Sequence, residues 1–282
     1  METPFIGEPA AIPGKAVPVA PGILRITAPN SGPLTYHGTN SYIVETENGN
    51  VIIDPGPGDS AHVEALLRAV SDNVAAMLIT HGHGDHTAAA RFIRSETGAP
   101  VYGFGDSIAE DLHIDGPLGH GDVVHGLRVL HTPGHAPDHL CFATDDGVLF
   151  SGDHVMTWST SAVSPPRGKM ADYRRSLLLL LEKNYRLLLP GHGAPSRAPG
   201  ELIRALLANR IAREQQVLSC VRAGATSAHA IADLIYQNLP SERRGPAERT
   251  IGAYLISLAE TGAVHRVDGQ WIPATTQTAC CG

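Results

Sequence analysis

The segment Thr80-His81-Gly82-His83-Gly84-Asp85-His86-Thr87 gathers three imidazoles and a carboxylate within six residues. Side chains two apart on an extended stretch point the same way, so His81 and His83 can reach one ion together. Gly84 then lets the chain turn into a helix, which redirects Asp85 and His86 toward a second ion. This donor set suits zinc, with manganese or iron as substitutes where geometry and availability favour them. Groups that would complete two sites stand where later apolar strands end in glycine-containing loops. They are His135 in Thr132-Pro133-Gly134-His135, Asp153 in Ser151-Gly152-Asp153 and His192 in Pro190-Gly191-His192-Gly193. Two adjacent cations would hold a shared water as hydroxide near neutral pH and polarise an electrophile beside it. Such chemistry needs no serine or cysteine nucleophile, and the chain has no GxSxG elbow. Asp85 and Asp153 are ligands first, with proton shuttling a secondary catalytic role.

The elements that must position these groups alternate along the chain. Strand patterns are expected at 23–27, 41–45 and 51–53, with a tight turn at Asn48-Gly49, and then at 76–80, around 101, and at 126–130, 139–143, 148–151 and 186–189. Helical patterns fit 61–70, 87–97 and 172–183. Interleaved strands and helices imply sheets with helices packed outside them. Beyond Pro199 the pattern changes: Ile203, Leu207, Ile211, Leu218 and Val221 trace one face of a long helix stopped near Gly224. Helices at 227–236, with Ser227 as N-cap, and 247–261 follow, and then a hairpin turning at Asp268-Gly269. Three helices and a small hairpin are the order of a winged helix-turn-helix.

In order, His81, His83, Asp85, His86, His135, Asp153 and His192 resemble the HxHxDH motif and later ligands of the metallo-β-lactamase superfamily. The resemblance covers about residues 20–198. It implies an α+β fold, a four-layer αβ/βα sandwich with metals at one edge of its paired sheets, followed here by a small winged-helix domain. Carried over position by position, it implies two Zn²⁺ ions, one held by His81, His83 and His135 and the other by Asp85, His86 and His192, with Asp153 bridging. The stretches Asn30-Ser31-Gly32-Pro33, Gly38-Thr39-Asn40-Ser41-Tyr42, His131-Thr132-Pro133-Gly134-His135 and Asp138-His139 are similar to a branch of β-lactamase-like hydrolases that includes a mitochondrial single-strand endoribonuclease. That branch also carries a C-terminal winged helix. The stretch 155–169, with Trp158, Ser159, Thr160 and Pro165-Pro166, departs from it.

The expected organisation is an extended arm at 1–20, a catalytic domain at 21–198, a winged-helix-like domain at 199–273 and a flexible tail at 274–282. Asp54 and His139 are expected behind the ligands, orienting them. Asn40, Tyr42, Trp158, Arg167 and Lys169 are expected at the substrate, and His154 near the ligands or on the surface. His37, His62, His113, His120, His125, His229 and His265 lack ligand context and are read as surface histidines.

Composition bounds the function. No stretch approaches the roughly 18 continuous apolar residues of a membrane span. The first fourteen residues lack the basic and apolar regions of a secretory signal, so the expected compartment is the cytoplasm. Cys141 and Cys220 stand singly in apolar surroundings, as buried thiols do, and Cys280 and Cys281 end a polar stretch. The formal net charge is -7. Residues 1–198 hold 13 Lys/Arg against 21 Asp/Glu and residues 199–282 hold 8 against 7, so neither part has the basicity of a nucleic-acid-binding domain.

The expected function is therefore a dinuclear zinc hydrolase acting on a small or medium-sized, anionic ester, thioester or lactone. Single-stranded RNA is the second substrate reading, weakened because a polyanion needs a basic track. Arg243, Arg244 and Arg249 form the one basic cluster of the C-terminal part and are read as a solvated face. An iron-dependent redox enzyme is disfavoured by His83, where the diiron pattern of the superfamily has a carboxylate. A metal-stabilised nucleic-acid-binding regulator is disfavoured because structural zinc sites are closed and often thiolate-rich. A homo-oligomer is compatible with the sequence.

Overall fold

The computed structural model describes residues 5–71, 73–105 and 112–274. Strands β1 (Ala16–Ala20), β2 (Ile23–Thr27), β3 (Asn40–Thr46) and β4 (Gly49–Ile53) form an antiparallel meander, and helix α1 (Ser60–Val70) leads to β5 (Val74–Leu78). After a short α2 (Gly84–Thr87) and α3 (Ala90–Thr97), β6 (Val101–Phe104) and β7 (Gly116–Leu118) add parallel to β5. These seven strands make one sheet in sequence order. The second sheet starts with β8 (Val123–Val124), β9 (Leu127–His131), β10 (Leu140–Ala143) and β11 (Val148–Gly152). Helix α4 (Met170–Leu181) crosses over to β12 (Leu187–Pro190), which pairs parallel with β11 at the far edge. Then come α5 (Pro199–Arg222), α6 (Ala228–Ile235), α7 (Ser241–Glu260) and the hairpin β13 (Val264–Val267) and β14 (Gln270–Pro273). No helix among the described residues is long and apolar enough to cross a membrane.

The four layers follow from period-two alternation on strands buried on both faces. On β4, Val51 and Ile53 face β9 to β12, packing with Val129, Phe142, Phe150 and Leu189, while Ile52 faces Leu66 of α1 and Ile93 of α3. On the second sheet, Leu140, Phe142 and Phe150 face inward, while Cys141 and Leu149 face outward against Tyr173 and Leu177 of α4. The outcome is helices, sheet, sheet, helices. That outer cluster continues through Leu206 and Val217 of α5 into Ile231, Ile251, Tyr254 and Leu255. The winged-helix segment is thus packed into the outer layer, and the sequence boundary at 198/199 falls within one hydrophobic core.

Several elements differ from the sequence expectation. The expected N-terminal arm contributes β1, an edge strand of the first sheet; its apolar alternation is diluted by Pro18 and Ala residues. The helix expected over 87–97 is broken after Thr87 because the Gly56 backbone inserts there, donating to His86 O and accepting from Ala89 N. The third helix expected over 247–261 begins at Ser241, and Pro246 lies inside it. A proline removes one helical donor, and this first part of the helix is exposed, where water can serve the unpaired carbonyl. Cys141 is buried and Cys220 half-buried, both as free thiols. Cys280, Cys281 and positions 275–282 of the expected tail lie outside the described residues.

Candidate metal centre

Strand ends position most of the site residues, and one short helix positions the rest. Asp54 follows β4, His81 and His83 follow β5, His135 follows β9, Asp153 follows β11 and His192 follows β12, while Asp85 and His86 sit on α2. The two sheets are tied at this edge by backbone bonds: Leu140 N donates to Thr80 O and Asn40 N to Gly191 O, while Gly191 N donates to Gly152 O within the second sheet. Two glycines leave room for the ligands. A Cβ on Gly191 would lie 2.7 Å from Asp153 Oδ1. One on Gly152, whose φ is +46°, would lie 2.7 Å from His139 Nε2 and 2.8 Å from Thr80 Oγ1.

The seven expected ligands come together in two clusters, His81, His83, His135 and Asp153 in one, and Asp85, His86 and His192 in the other. Asp153 reaches both: Oδ2 is 3.7 Å from His135 Nε2, and Oδ1 is 3.5 Å from His86 Nε2 and 3.3 Å from His192 Nε2. Asp85 Oδ2 lies 3.6 Å from His86 Nε2 and 3.4 Å from His192 Nε2.

Hydrogen bonds behind the rings set which nitrogen faces the centre. Asp54 Oδ2 accepts from Thr80 Oγ1 at 2.7 Å and from His86 Nδ1 at 2.8 Å. Since the Thr80 proton goes to Asp54, Thr80 Oγ1 accepts from His81 Nδ1, 3.0 Å away. His135 Nδ1 donates to Ala162 O at 2.7 Å, and His192 Nδ1 to Gly38 O at 3.2 Å. In His81, His86, His135 and His192 the Nε2 lone pair is therefore turned inward, and His83 presents Nδ1. His81 Nε2 and His83 Nδ1 come within 2.8 Å, and His135 Nε2 within 3.1 Å of the same Nδ1. His86 Nε2 and Asp153 Oδ1 are buried without a hydrogen-bond partner. Converging lone pairs and orphaned buried acceptors are what a pair of cations satisfies, so the donor set fits two divalent metals.

Electrostatics point the same way. Burial and the neighbouring His86, His83 and His135 hold the His81 imidazole well below its ordinary pKa, keeping its lone pair free. Burial opposes charge on His192, but Asp153 and Asp85 outweigh it and raise that imidazole to about 9. Burial likewise opposes the Asp153 carboxylate, yet His192 and His86 hold it well below the usual range. The negative potential that protonates His192 is the potential that draws in a cation, so metal binding there displaces protons.

Asp54 adopts φ +50°, uncommon for a non-glycine residue, and spends both oxygens on the site, Oδ1 accepting from Thr80 N at 2.7 Å. His139 Nδ1 bonds Thr132 Oγ1 at 2.9 Å, and its Nε2 accepts from Asp153 N at 3.2 Å, so it fixes the backbone of the bridging residue. Asp138 Oδ2 accepts from Gly82 N at 2.9 Å and braces the turn between His81 and His83, a role not read from the sequence although the Asp138-His139 pair was visible.

The ligand edge opens into a cavity of about 780 Å³. Trp158 and Arg167 line it, Trp158 stacked on Tyr36 with ring centroids 4.9 Å apart. The other expected substrate residues are placed differently. Asn40 and Tyr42 are buried off the cavity wall; Asn40 Nδ2 and Tyr42 Oη donate to Pro190 O and so hold the loop carrying His192. The exposed Lys169 precedes α4 and is also off the wall; its backbone N–H donates to Gly134 O. His62, expected at the surface, is buried with Nε2 2.9 Å from Ser41 Oγ, and His154 is fully buried. The opposite wall comes from the C-terminal segment, where Arg210, Tyr236, Leu239, Arg243 and Arg249 face the cavity. Of the arginine cluster read from the sequence as a solvated face, Arg243 and Arg249 on α7 stand on this wall.

The sequence profile of the metallo-beta-lactamase superfamily matches residues 34–192. The chain belongs to the metallo-β-lactamase superfamily. The profile of the beta-lactamase associated winged helix domain matches residues 227–271. Among superfamily relatives, a lactamase-like protein of Pestalotiopsis microspora is 35% identical over 213 residues, 72% of this chain and 64% of its own. An atrochrysone carboxyl ACP thioesterase of Claviceps purpurea is 33% identical over 215 residues, 71% of this chain and 65% of its own. The match thus spans a little under two thirds of these two relatives. A beta-lactamase domain protein from Burkholderia ambifaria shares the superfamily fold, with TM-score 0.81 at 24% identity over 94% of this chain and 95% of that one.

Proposed function

We propose that the protein is a dinuclear metal-dependent hydrolase of acyl esters and thioesters, with two Zn²⁺ ions as the resident metals. The observation that carries this reading is Asp153, whose two oxygens reach the two ligand clusters at the floor of a cavity. When bound, the cations supply an activated water and Lewis-acid polarisation of the electrophile. His81, His83, His135 and Asp153 would hold one of them, and Asp85, His86 and His192 the other. The chain's own work is to fix the imidazole tautomers through Thr80, Asp54, Ala162 and Gly38, and to exclude bulk water behind the centre. Asp85, the more exposed carboxylate of the site at 32%, is the group placed to take a proton from the attacking water and pass it to the leaving thiolate. Hydrolysis of a thioester forms a C–O bond from water and breaks the C–S bond, giving a carboxylic acid and a thiol.

Apolar walls, with Met156, Trp158, Pro165 and Leu239, suit an acyl group, as does the thioesterase among the relatives. Purified protein loaded with zinc is expected to hold two metals per chain and to cleave a panel of acyl thioesters and lactones faster than a fluorescent single-stranded RNA. Asp153→Ala should lose metal and at least a hundredfold of kcat/KM, since one carboxylate serves both clusters. At most one metal after zinc loading, or RNA cleavage above every acyl substrate, would overturn the proposal.

A further inference from the structure

We infer that the cavity rim is an anion-recognition site, built by Arg167, Arg243 and Arg249, that takes the phosphate of a phosphopantetheine arm carrying the acyl thioester. This rests on the acyl-hydrolase reading above and adds the part of the substrate read away from the metals.

Arg167 comes from the loop before α4, whereas Arg243 and Arg249 come from α7, so two distant segments bring arginines to one cavity. All three are exposed and on the cavity wall, whereas the ligands His81, His86 and His192 are buried. Arg174 pairs with Glu214 at 2.6 Å and Arg244 with Asp233 at 2.6 Å, whereas Arg210, buried on the same wall, spends its guanidinium on Ser161 O and Tyr254 Oη. Among the described residues the rim arginines have no carboxylate partner, and the only carboxylates on the wall are Asp85 and Asp153, which face the metal clusters. Three like charges lining one cavity without a carboxylate partner, on a chain of net charge -7, make that cavity locally positive and favour an anion there. Arg243 is also pre-placed, its guanidinium 5.4 Å from the Trp158 ring centroid.

Guanidinium groups match phosphate oxygens in geometry as well as charge. A cavity of about 780 Å³ lies toward the upper end of the roughly 300–1,000 Å³ range of ligand pockets and exceeds what a simple lactone fills. A thioester on a long arm fills such a space from both ends, with the acyl carbon at the metals and the phosphate at the rim. Biological thioesters on pantetheine end in phosphate, either in coenzyme A or on a carrier protein. A nucleic acid would need a continuous basic track along its backbone, and three arginines at one cavity fall short of that.

The test compares one acyl group on coenzyme A, on a carrier protein and on N-acetylcysteamine, which has no phosphate, using zinc-loaded enzyme. Wild type is expected to favour a phosphate-bearing thioester by at least tenfold in kcat/KM, through KM. In Arg243→Gln/Arg249→Gln and in Arg167→Gln that ratio falls toward one, and Arg249→Lys restores part of it. The better phosphate-bearing partner identifies the source. Equal kcat/KM for all three thioesters in wild type, or an unchanged ratio in the variants, overturns the proposal. Titration calorimetry with phosphopantetheine alone separates this inference from the reaction: binding at low salt that the double variant loses supports the rim site even if no thioester is cleaved. No binding of phosphopantetheine, or tighter binding of a single-stranded RNA oligonucleotide, sinks it.

Discussion

An imidazole is a ligand or a liability according to the hydrogen bond behind it. Thr80, Asp54, Ala162 and Gly38 each take the Nδ1 proton of a site histidine, which leaves Nε2 facing the centre. His62 shows the same chemistry without a metal. It is buried under the site with Ser41 Oγ as its Nε2 partner, while its Nδ1 has none. Burial lowers its pKa to about 4, with Asp59 and the Pro55 carbonyl opposing. A folded pKa below the unfolded value of 6.5 means that the unfolded chain binds the proton first. Stability from this group is therefore complete above pH 6.5 and is lost as pH falls from there toward 4. By pH 5 the loss amounts to about 2 kcal/mol. His62→Gln keeps a partner for Ser41 and cannot titrate. Urea unfolding at pH 7 and pH 5 with saturating zinc should show the variant gaining about 2 kcal/mol on wild type over that interval. A gap that does not change with pH would place the acid sensitivity elsewhere.

At the scale of elements, the clustering of the candidate ligands was legible because they stand where apolar strands meet glycines, a local signal. The contacts between strand-end loops and distant helices were not, because they depend on tertiary packing. Arg210 on α5 is such a case. It is buried, its Nη2 donates to the Ser161 carbonyl and its Nη1 to Tyr254 Oη at 3.4 Å. The next carbonyl, of Ala162, holds His135 Nδ1, and Ser161 Oγ stands 3.3 Å from the same nitrogen. Arg210 is thus a positioning residue that lets α5 set the orientation of a ligand more than seventy positions earlier. Arg210→Met keeps the bulk and removes the donors. We expect about tenfold weaker metal binding in chelator competition, with unchanged secondary structure and with part of the affinity restored in Arg210→Lys. Wild-type metal affinity in the methionine variant would confine Arg210 to a packing role. The same reasoning explains why β1, β7 and β8 were missed: short edge strands of 5, 3 and 2 residues carry little pattern and are fixed by their neighbours.

The whole molecule turns on where its core ends. The motif order suggested a catalytic domain with an appended winged helix, yet Leu130, Leu149 and Leu188 of the second sheet share a cluster with Leu206, Val217, Ile251 and Leu255. Removing residues after 198 would expose the outer face of α4 and that sheet, at roughly 1.5–3 kcal/mol for each large side chain left without cover. A cavity with one wall from each segment also needs them held in fixed relation, which a flexible linker would not provide. The chain therefore should unfold as one unit. Its two tryptophans report on opposite ends of that claim, Trp158 at the cavity and Trp271 in the hairpin, where its backbone N–H donates to Thr226 O at 2.9 Å. Trp271→Phe leaves Trp158 as the fluorophore, and Trp158→Phe leaves Trp271. In urea, with zinc present, each variant's fluorescence midpoint should coincide with its midpoint from far-UV circular dichroism. An earlier fluorescence transition in Trp158→Phe would mean that the winged-helix segment melts on its own. The shared core would then be an attachment and not the interior of a single cooperative fold.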